Sequence, residues 1–164
     1  MTISLARVDD RVIHGQTTTR WSKARPVYGI LAVGDDIAND ALRKKVLKAA
    51  AGDIKLGVYT VEQAPEKIKK AVESDKFYFL ISNSPQTMAR LVEKGVYIGK
   101  ELNIGPMNTR KGAKVLGRTV AIDEQDYQAF NYLEEHGVQV LFQLLPDDDP
   151  KSWKVLKKKF DALK

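Results

Sequence analysis

The sequence predicts an α/β domain: an open, mostly parallel twisted sheet of about seven strands, with helices on both faces and one short antiparallel or hairpin element. Apolar runs of strand length alternate with segments of helical period along most of the chain, the pattern of βα units that feed a parallel sheet. Runs such as VYGILAVG and KFYFLIS are apolar almost without interruption, as strands covered on both faces are. At 164 residues the chain suffices for one domain with a real core and is short for two, so 1–164 reads as a single domain.

In chain order, ISLARV is the first strand, followed by a polar cluster and a helix around Gln16 to Lys23. VYGILAVG is the second strand, after which Asp35, Asp36 and Asn39 offer caps for the helix DALRKKVLKAA, stopped by Gly52. IKLGVYT is a strand, VEQAPEKIKKAVES a helix and KFYFLIS a further strand. Ser84 then caps and Pro85 opens the helix PQTMARLVEKG. Beyond Gly95 the alternation changes: ELNIG and KVLGRTVAI are strands joined by the turn-rich GPMNTRKG, with no room for a helix. DEQDYQAFNYLEEHG is a helix with acids at its start, where the helix dipole favours them. VQVLFQLLP is the last strand, and PDDDPKSW leads into a terminal helix.

Composition excludes several classes of function. Hydrophobic residues make up 43% and charged residues 29%, ordinary for a globular protein. No apolar run approaches the roughly 20 residues that span a bilayer, and MTISLARVDD lacks the plan of a signal peptide. Cysteine is absent, which removes disulfides, thiolate metal sites and a cysteine nucleophile. A cytoplasmic location is the expectation. The net charge of +6 gathers in PKSWKVLKKKFDALK, where the lysines sit at helical spacing beside Trp153, Val155, Leu156, Phe160 and Leu163. That is the solvated face of an amphipathic helix; no nucleic-acid motif accompanies it.

The chemistry concentrates in LARVDDRVIHGQ, which crowds Arg7, Asp9, Asp10, Arg11 and His14 into eight residues. Ligand sites of open α/β sheets lie outside the carboxyl ends of the strands, and this loop follows the first strand. Two readings stand on the residues alone. In one, the acids and arginines form a loop ion pair and His14 is exposed by chance. In the other, the loop serves phosphoryl chemistry: His14 as nucleophile, an aspartate fixing its tautomer, and Arg7 and Arg11 gripping phosphate oxygens. Gly15 would let the backbone come close and adopt conformations other residues avoid, and the first helical turn would present its N–H groups to an anion.

RVDDRVIHGQ, with Trp21 five residues later, resembles the signature R-I-D-D/E-R-L-I/V-H-G-Q of the IIB component of the mannose/fructose/sorbose family of the sugar phosphotransferase system. The likeness covers nearly the whole chain. Asn103 to Met107 (NIGPM) stand where the family carries N-V-G-G/N-M, and Asp123 to Asp126 and the Leu133-to-Val138 segment follow its habit. Pro106 departs from the pattern and has no backbone N–H to offer.

The resemblance implies a phosphoryl carrier. His14 would take the group, on Nδ1, from a phosphohistidine of a IIA partner and pass it to a sugar held by the membrane components IIC and IID, which select the sugar. Arg7 and Arg11 would bind the phosphate, Gly15 and Gln16 would offer it backbone N–H groups, and Asp10 would orient His14 or Arg11; Asp9 has no assigned role. The basic surface would dock an acidic IIA or the anionic face of the membrane. No metal or cofactor is implied, nor any nucleic acid. Family members often dimerise or are fused to IIA, so a homodimer is allowed, with the protein peripheral to its membrane transporter.

Ser82, Asn83 and Ser84, in another βα turn, are candidate site-lining residues, as are Met107 and Asn108; capping the next helix and plain loop structure are the competing explanations. Trp21 reads as helix-to-sheet packing rather than a sugar platform. The alternatives are a histidine-phosphatase-like phosphohydrolase and a non-catalytic α/β ligand-binding regulatory module. The first needs a second histidine in the pocket, and the only other one, His136, should lie at the opposite edge of the sheet. The second would be expected to carry a glycine-rich first turn, and VDDRVIHG has one glycine.

Overall fold

The structure, a computed structural model, describes residues 2–163, without the side chains of residues 16 and 17. The main sheet is built from β1 (Ile3–Val8), β2 (Gly29–Val33), β3 (Lys55–Tyr59), β4 (Tyr78–Ser82), β5 (Glu101–Ile104), β8 (Gln139–Phe142) and β9 (Lys151–Ser152). Its strand order is β3-β2-β4-β1-β5-β8-β9. All neighbours are parallel except the outer pair, where β9 runs antiparallel to β8.

The central strands β2 and β4 are apolar almost throughout because both their faces are covered. In β2, Ile30 and Ala32 face one core and Leu31 and Val33 the other; in β4, Phe79 and Ile81 oppose Leu80. On the first face lie α1 (Gly15–Ala24), α2 (Asp35–Ala38) and α3 (Ala41–Ala51), through Trp21, Ile37, Leu47 and Ala51. On the second lie α4 (Ala64–Glu73), α5 (Pro85–Glu93), α6 (Glu124–Glu135) and α7 (Trp153–Ala162), through Ile68, Met88, Leu91, Phe130, Leu133, Trp153 and Phe160. Each fully buried Leu, Ile or Phe contributes about 1.5–3 kcal/mol over its exposed state.

This topology positions the site. Neighbouring strands β1 and β4 run in register to Val8 opposite Ser82. The helices that follow them leave to opposite faces, α1 to one core and α5 to the other. The two loops therefore part at the carboxyl edge, and the crevice between them is the switch point where such sheets bind ligands.

Three local expectations are corrected. KVLGRTVAI is not one strand of the sheet: Gly117 sits in a turn, and the segment folds on itself as the antiparallel pair β6 (Lys114–Val115) and β7 (Ala121–Ile122). The seventh strand of the main sheet is instead the two-residue β9, from the segment read as a lead-in to the last helix. Residues 35–38 form a separate short turn of helix, and α3 is capped by Asp40, whose carboxylate accepts from the Arg43 N–H at 3.0 Å. Ser84 does cap α5, accepting from the Thr87 N–H, and α6 opens on a reciprocal capping box between Asp123 and Asp126.

Candidate functional site

The loop from β1 to α1 is tied down from within. The Asp9 N–H donates to the Ser82 carbonyl at 2.9 Å, its own carbonyl accepts from the Val12 N–H at 2.9 Å, and its carboxylate accepts from the Arg11 N–H at 2.9 Å. That closes an Asx-type turn. The chain then reverses so sharply that Val12 takes φ 60°, a left-handed backbone that a β-branched residue resists at a cost of about 1–3 kcal/mol. Val12 and Ile13 offset this by burying their side chains in the core beneath α1. The turn leaves the Arg11 side chain exposed and His14 half-buried.

Arg7 takes a different place from the one expected for a phosphate ligand. Only 2% exposed, its guanidinium lies under the loop and donates to the Asn103 side-chain oxygen and, at 3.0 Å each, to the carbonyls of Gln143 and Leu144. It pairs with Asp9 at 3.7 Å and covers the Trp21 ring, whose Nε1–H donates to the Leu144 carbonyl at 3.1 Å. Burial lowers the Arg7 pKa to about 10, against the pull of Asp9, which still leaves it protonated at neutral pH. One cation thus joins the ends of β1, β5 and β8. Gly105 is glycine because of it: a Cβ there would lie 2.7 Å from the guanidinium carbon.

Asp10 is bound to the loop after β5. Its carboxylate accepts the Asn108 N–H, and its own N–H donates to the carbonyl of Pro106 at 3.2 Å. Pro106 thus contributes the one backbone group it has. Burial pushes Asp10 above the usual carboxylate range, and the Asn108 N–H pulls the other way. The same loop is held from behind by Arg110, which donates to the Asn108 carbonyl at 3.2 Å and pairs with Asp126 and, at 3.2 Å, with Asp123. Burial raises Asp126, whose other oxygen accepts from Gln86 at 2.8 Å. Asp123 lies low: burial would raise it, but the Asp126 N–H and Arg110 outweigh that.

Asp10, Asn83, Ser84, Met107 and Asn108 line one cleft of about 400 Å³, together with Gln86, Arg110 and Asp126. Asn83 donates to Asp36 at 2.8 Å. Ser82 is not on this surface: it is fully buried, its hydroxyl donating to the Ser84 carbonyl at 2.9 Å and its carbonyl receiving the Asp9 N–H. The sequence reading missed Asp9 as the turn's organiser, Asn103 and Gln143 as partners in the Arg7 network, and Arg110 as the anchor of the second loop. An Asp two residues before a turn's N–H was a usable signal for the first. The others meet only through the sheet.

His14 stands at the N-cap of α1 in extended backbone, its N–H donating to the Thr18 hydroxyl at 3.2 Å. Helices α3, α5, α6 and α7 each have an Asp or Ser side chain capping the first turn, whereas neither His14 at α1 nor Gln63 at α4 makes a side-chain capping hydrogen bond. The N–H groups of that turn lack intrahelical acceptors and carry the positive end of the helix dipole. Gln16 lies in that first turn; its side chain lies outside the described residues. Gly15 is exposed, its φ is not in the left-handed region, and an added Cβ would touch nothing within 4 Å. Glycine is thus not required there by the fold, contrary to the expectation of an unusual backbone. His136 caps the other end of α6, at the amino edge of the sheet, with Nδ1 2.7 Å from the Tyr132 carbonyl. A pocket with two histidines is therefore not formed.

If the space above Gly15 is reserved for an incoming group, Gly15→Ala should leave melting unchanged or raise stability by up to about 1 kcal/mol, alanine being the better helix former. If His14 also proves to carry a transferred group, that transfer should slow by at least ten-fold. Equal transfer rates in a stopped-flow comparison would show that nothing approaches the helix there.

Residues 3–164 match the family described as PTS system sorbose subfamily IIB component. The chain is 38% identical over 149 residues to the PTS system sorbose-specific EIIB component of Klebsiella pneumoniae, covering 90% of each. It is 35% identical over 152 residues to the PTS system mannose-specific EIIAB component of Escherichia coli, covering 92% of this chain and 46% of that one. The crystal structure of the IIBSor domain of the Klebsiella pneumoniae sorbose permease superposes with a TM-score of 0.89 at 36% identity, over 99% of this chain and 98% of that one. With the fold and the matched length agreeing, the chain belongs to the sorbose-subfamily IIB components of the sugar phosphotransferase system, the phosphotransferases that carry a phosphoryl group in sugar uptake.

Proposed function

We propose that His14 is the residue that carries the phosphoryl group. The supporting observation is its place at the N-terminus of α1, whose first turn no side chain caps, half-buried in the loop that also carries the exposed Arg11. An imidazole nitrogen attacks the phosphorus of a phosphohistidine on a IIA partner; a new N–P bond forms as the donor's N–P bond breaks. A sugar hydroxyl oxygen, presented by membrane IIC and IID components, then takes the phosphorus, the N–P bond of His14 breaks, and the hydroxyl proton leaves to solvent or base. The joined EIIAB relative supports a IIA module as donor.

Within this reading the arginines divide the work. Arg11 and the α1 N-terminus meet the phosphate's charge, while Arg7, buried in its network, holds the loop that aims His14. Asp10 fixes the Pro106-to-Arg110 loop against the site, with Asn83, Ser84, Met107 and Asn108 as the adjoining wall and Gly15 and Gln16 as backbone donors. No helix among the described residues is long and apolar enough to cross a membrane, and we place the chain beside its transporter rather than in it. A homodimer is the assembly to look for by light scattering.

The test is to incubate the chain with phosphoenolpyruvate, the general phosphotransferase proteins and IIA, then locate the adduct by mass spectrometry. An acid-labile, base-stable phosphoryl group on His14 is expected; a group on any other residue overturns the assignment. Arg11→Ala should slow transfer by about 10²-fold or more, the scale for losing one transition-state charge contact, while its exposed position keeps the stability change within about 0.5 kcal/mol. An unchanged rate would remove Arg11 from the site.

A further inference from the structure

Helix α3 turns its apolar residues the wrong way for a helix that serves only the core. Of ALRKKVLKAAA, Leu47 and Ala51 are buried, whereas Leu42 and Val46 are 73% and 59% exposed. Residues 42, 46 and 49 fall at i, i+4 and i+7 and form one outward ridge, since Ala49 is exposed as well. At 3.6 residues per turn, Lys45 and Lys48 flank the ridge on one side and Arg43 on the other. The helix holds four cations and no acid. Arg43 shares Asp36 at 3.5 Å; among the described residues, no ion pair engages Lys44, Lys45 or Lys48.

We propose that this ridge is a contact surface for an anionic lipid membrane. An apolar crest between cationic shoulders suits the headgroup boundary: Leu42 and Val46 enter the acyl margin while the lysines extend to the lipid phosphates. The argument for lipid is charge complementarity: Lys45, Lys48 and Arg43 shoulder the apolar ridge, and among the described residues no carboxylate pairs with either lysine. The location is useful too. Helix α3 follows the carboxyl end of β2, which is parallel to its neighbours, so Leu42, in the first turn, stands at the sheet edge that carries the His14 loop. Membrane contact there would hold that edge near the bilayer, a benefit that rests on the proposed role of His14, although the binding itself does not.

The experiment is co-sedimentation of the full chain with vesicles of phosphatidylglycerol mixed into phosphatidylcholine, and with phosphatidylcholine alone, at low and high salt. Binding to the anionic vesicles only, weakened by salt, is expected. Lys45→Gln/Lys48→Gln should lower the partition roughly 25-fold, about five-fold per lysine, and Leu42→Asn/Val46→Asn at least ten-fold. Both variants should keep the far-ultraviolet spectrum and the rate of phosphoryl uptake from IIA without vesicles. Absent binding, equal binding to both vesicle types, or variants that bind like the parent would overturn the proposal. So would slower uptake in solution by either variant, which would make the ridge a protein-docking face, or self-association lost in Leu42→Asn, which would give it to a second copy. Failure on any of these counts leaves the adduct on His14 standing.

Discussion

His14→Ala should accept no phosphoryl group from IIA, a fall of at least ~10⁴-fold by the scale of nucleophile loss, and should keep its fold. The side chain is half-buried at a helix start and makes no capping hydrogen bond to α1, so its truncation removes no helix cap and the protein should still unfold in one cooperative transition. His14→Asn sharpens the test. Asparagine is among the best N-cap residues, histidine is not, and the exchange should raise stability by about 1 kcal/mol as the amide oxygen accepts a first-turn N–H. A more stable protein that carries no phosphoryl group would show that the cap position is given up to chemistry. Retained transfer in either variant would move the carrier elsewhere, and a large loss of stability would mean His14 belongs to the fold.

Much of the fold was legible in the sequence because the elements announce themselves locally. The runs ending at Val33 and Ser82 are apolar on both faces, and Ser84-Pro85 and Asp123-to-Asp126 are cap signals that need no tertiary context. What failed was register between distant pieces. KVLGRTVAI has strand composition, but Gly117 and the pairing of Val120 with Met107 turn it into a hairpin off the sheet. The two-residue β9 exists only because β8 offers it an edge. At the site, the loop and His14 stood out by crowding, while the orientation of Arg7 did not. Nothing within RVDDRVIH says that one arginine points inward and the other outward. Alternation along β1 and the distant acceptors Asn103, Gln143 and Leu144 decide it, and they meet only in the folded sheet. Resemblance groups the two arginines as phosphate ligands, whereas burial separates them.

Arg7→Met should therefore cost stability before it costs chemistry. Three acceptors from β5 and the end of β8 lose their donor, and Asp9, 2% exposed, is left without its cation. Breaking a buried pair from one side costs about 3–5 kcal/mol, a large share of the about 5–15 kcal/mol that holds a domain together, and a drop of about 10 °C in melting temperature follows. Arg7→Lys keeps the charge but cannot span Asn103 and Leu144 with one ammonium, so an intermediate loss is expected. Asp9→Asn in the Arg7→Met background should recover part of it by removing the stranded charge, giving a coupling energy of about 1–3 kcal/mol in the double-mutant cycle. Transfer by the folded fraction should slow less than in Arg11→Ala, since Arg7 acts through the loop. If Arg7→Met melted like the parent yet lost transfer as Arg11→Ala does, the guanidinium would have to leave its network and reach the phosphate, and the division of labour between the two arginines would be wrong.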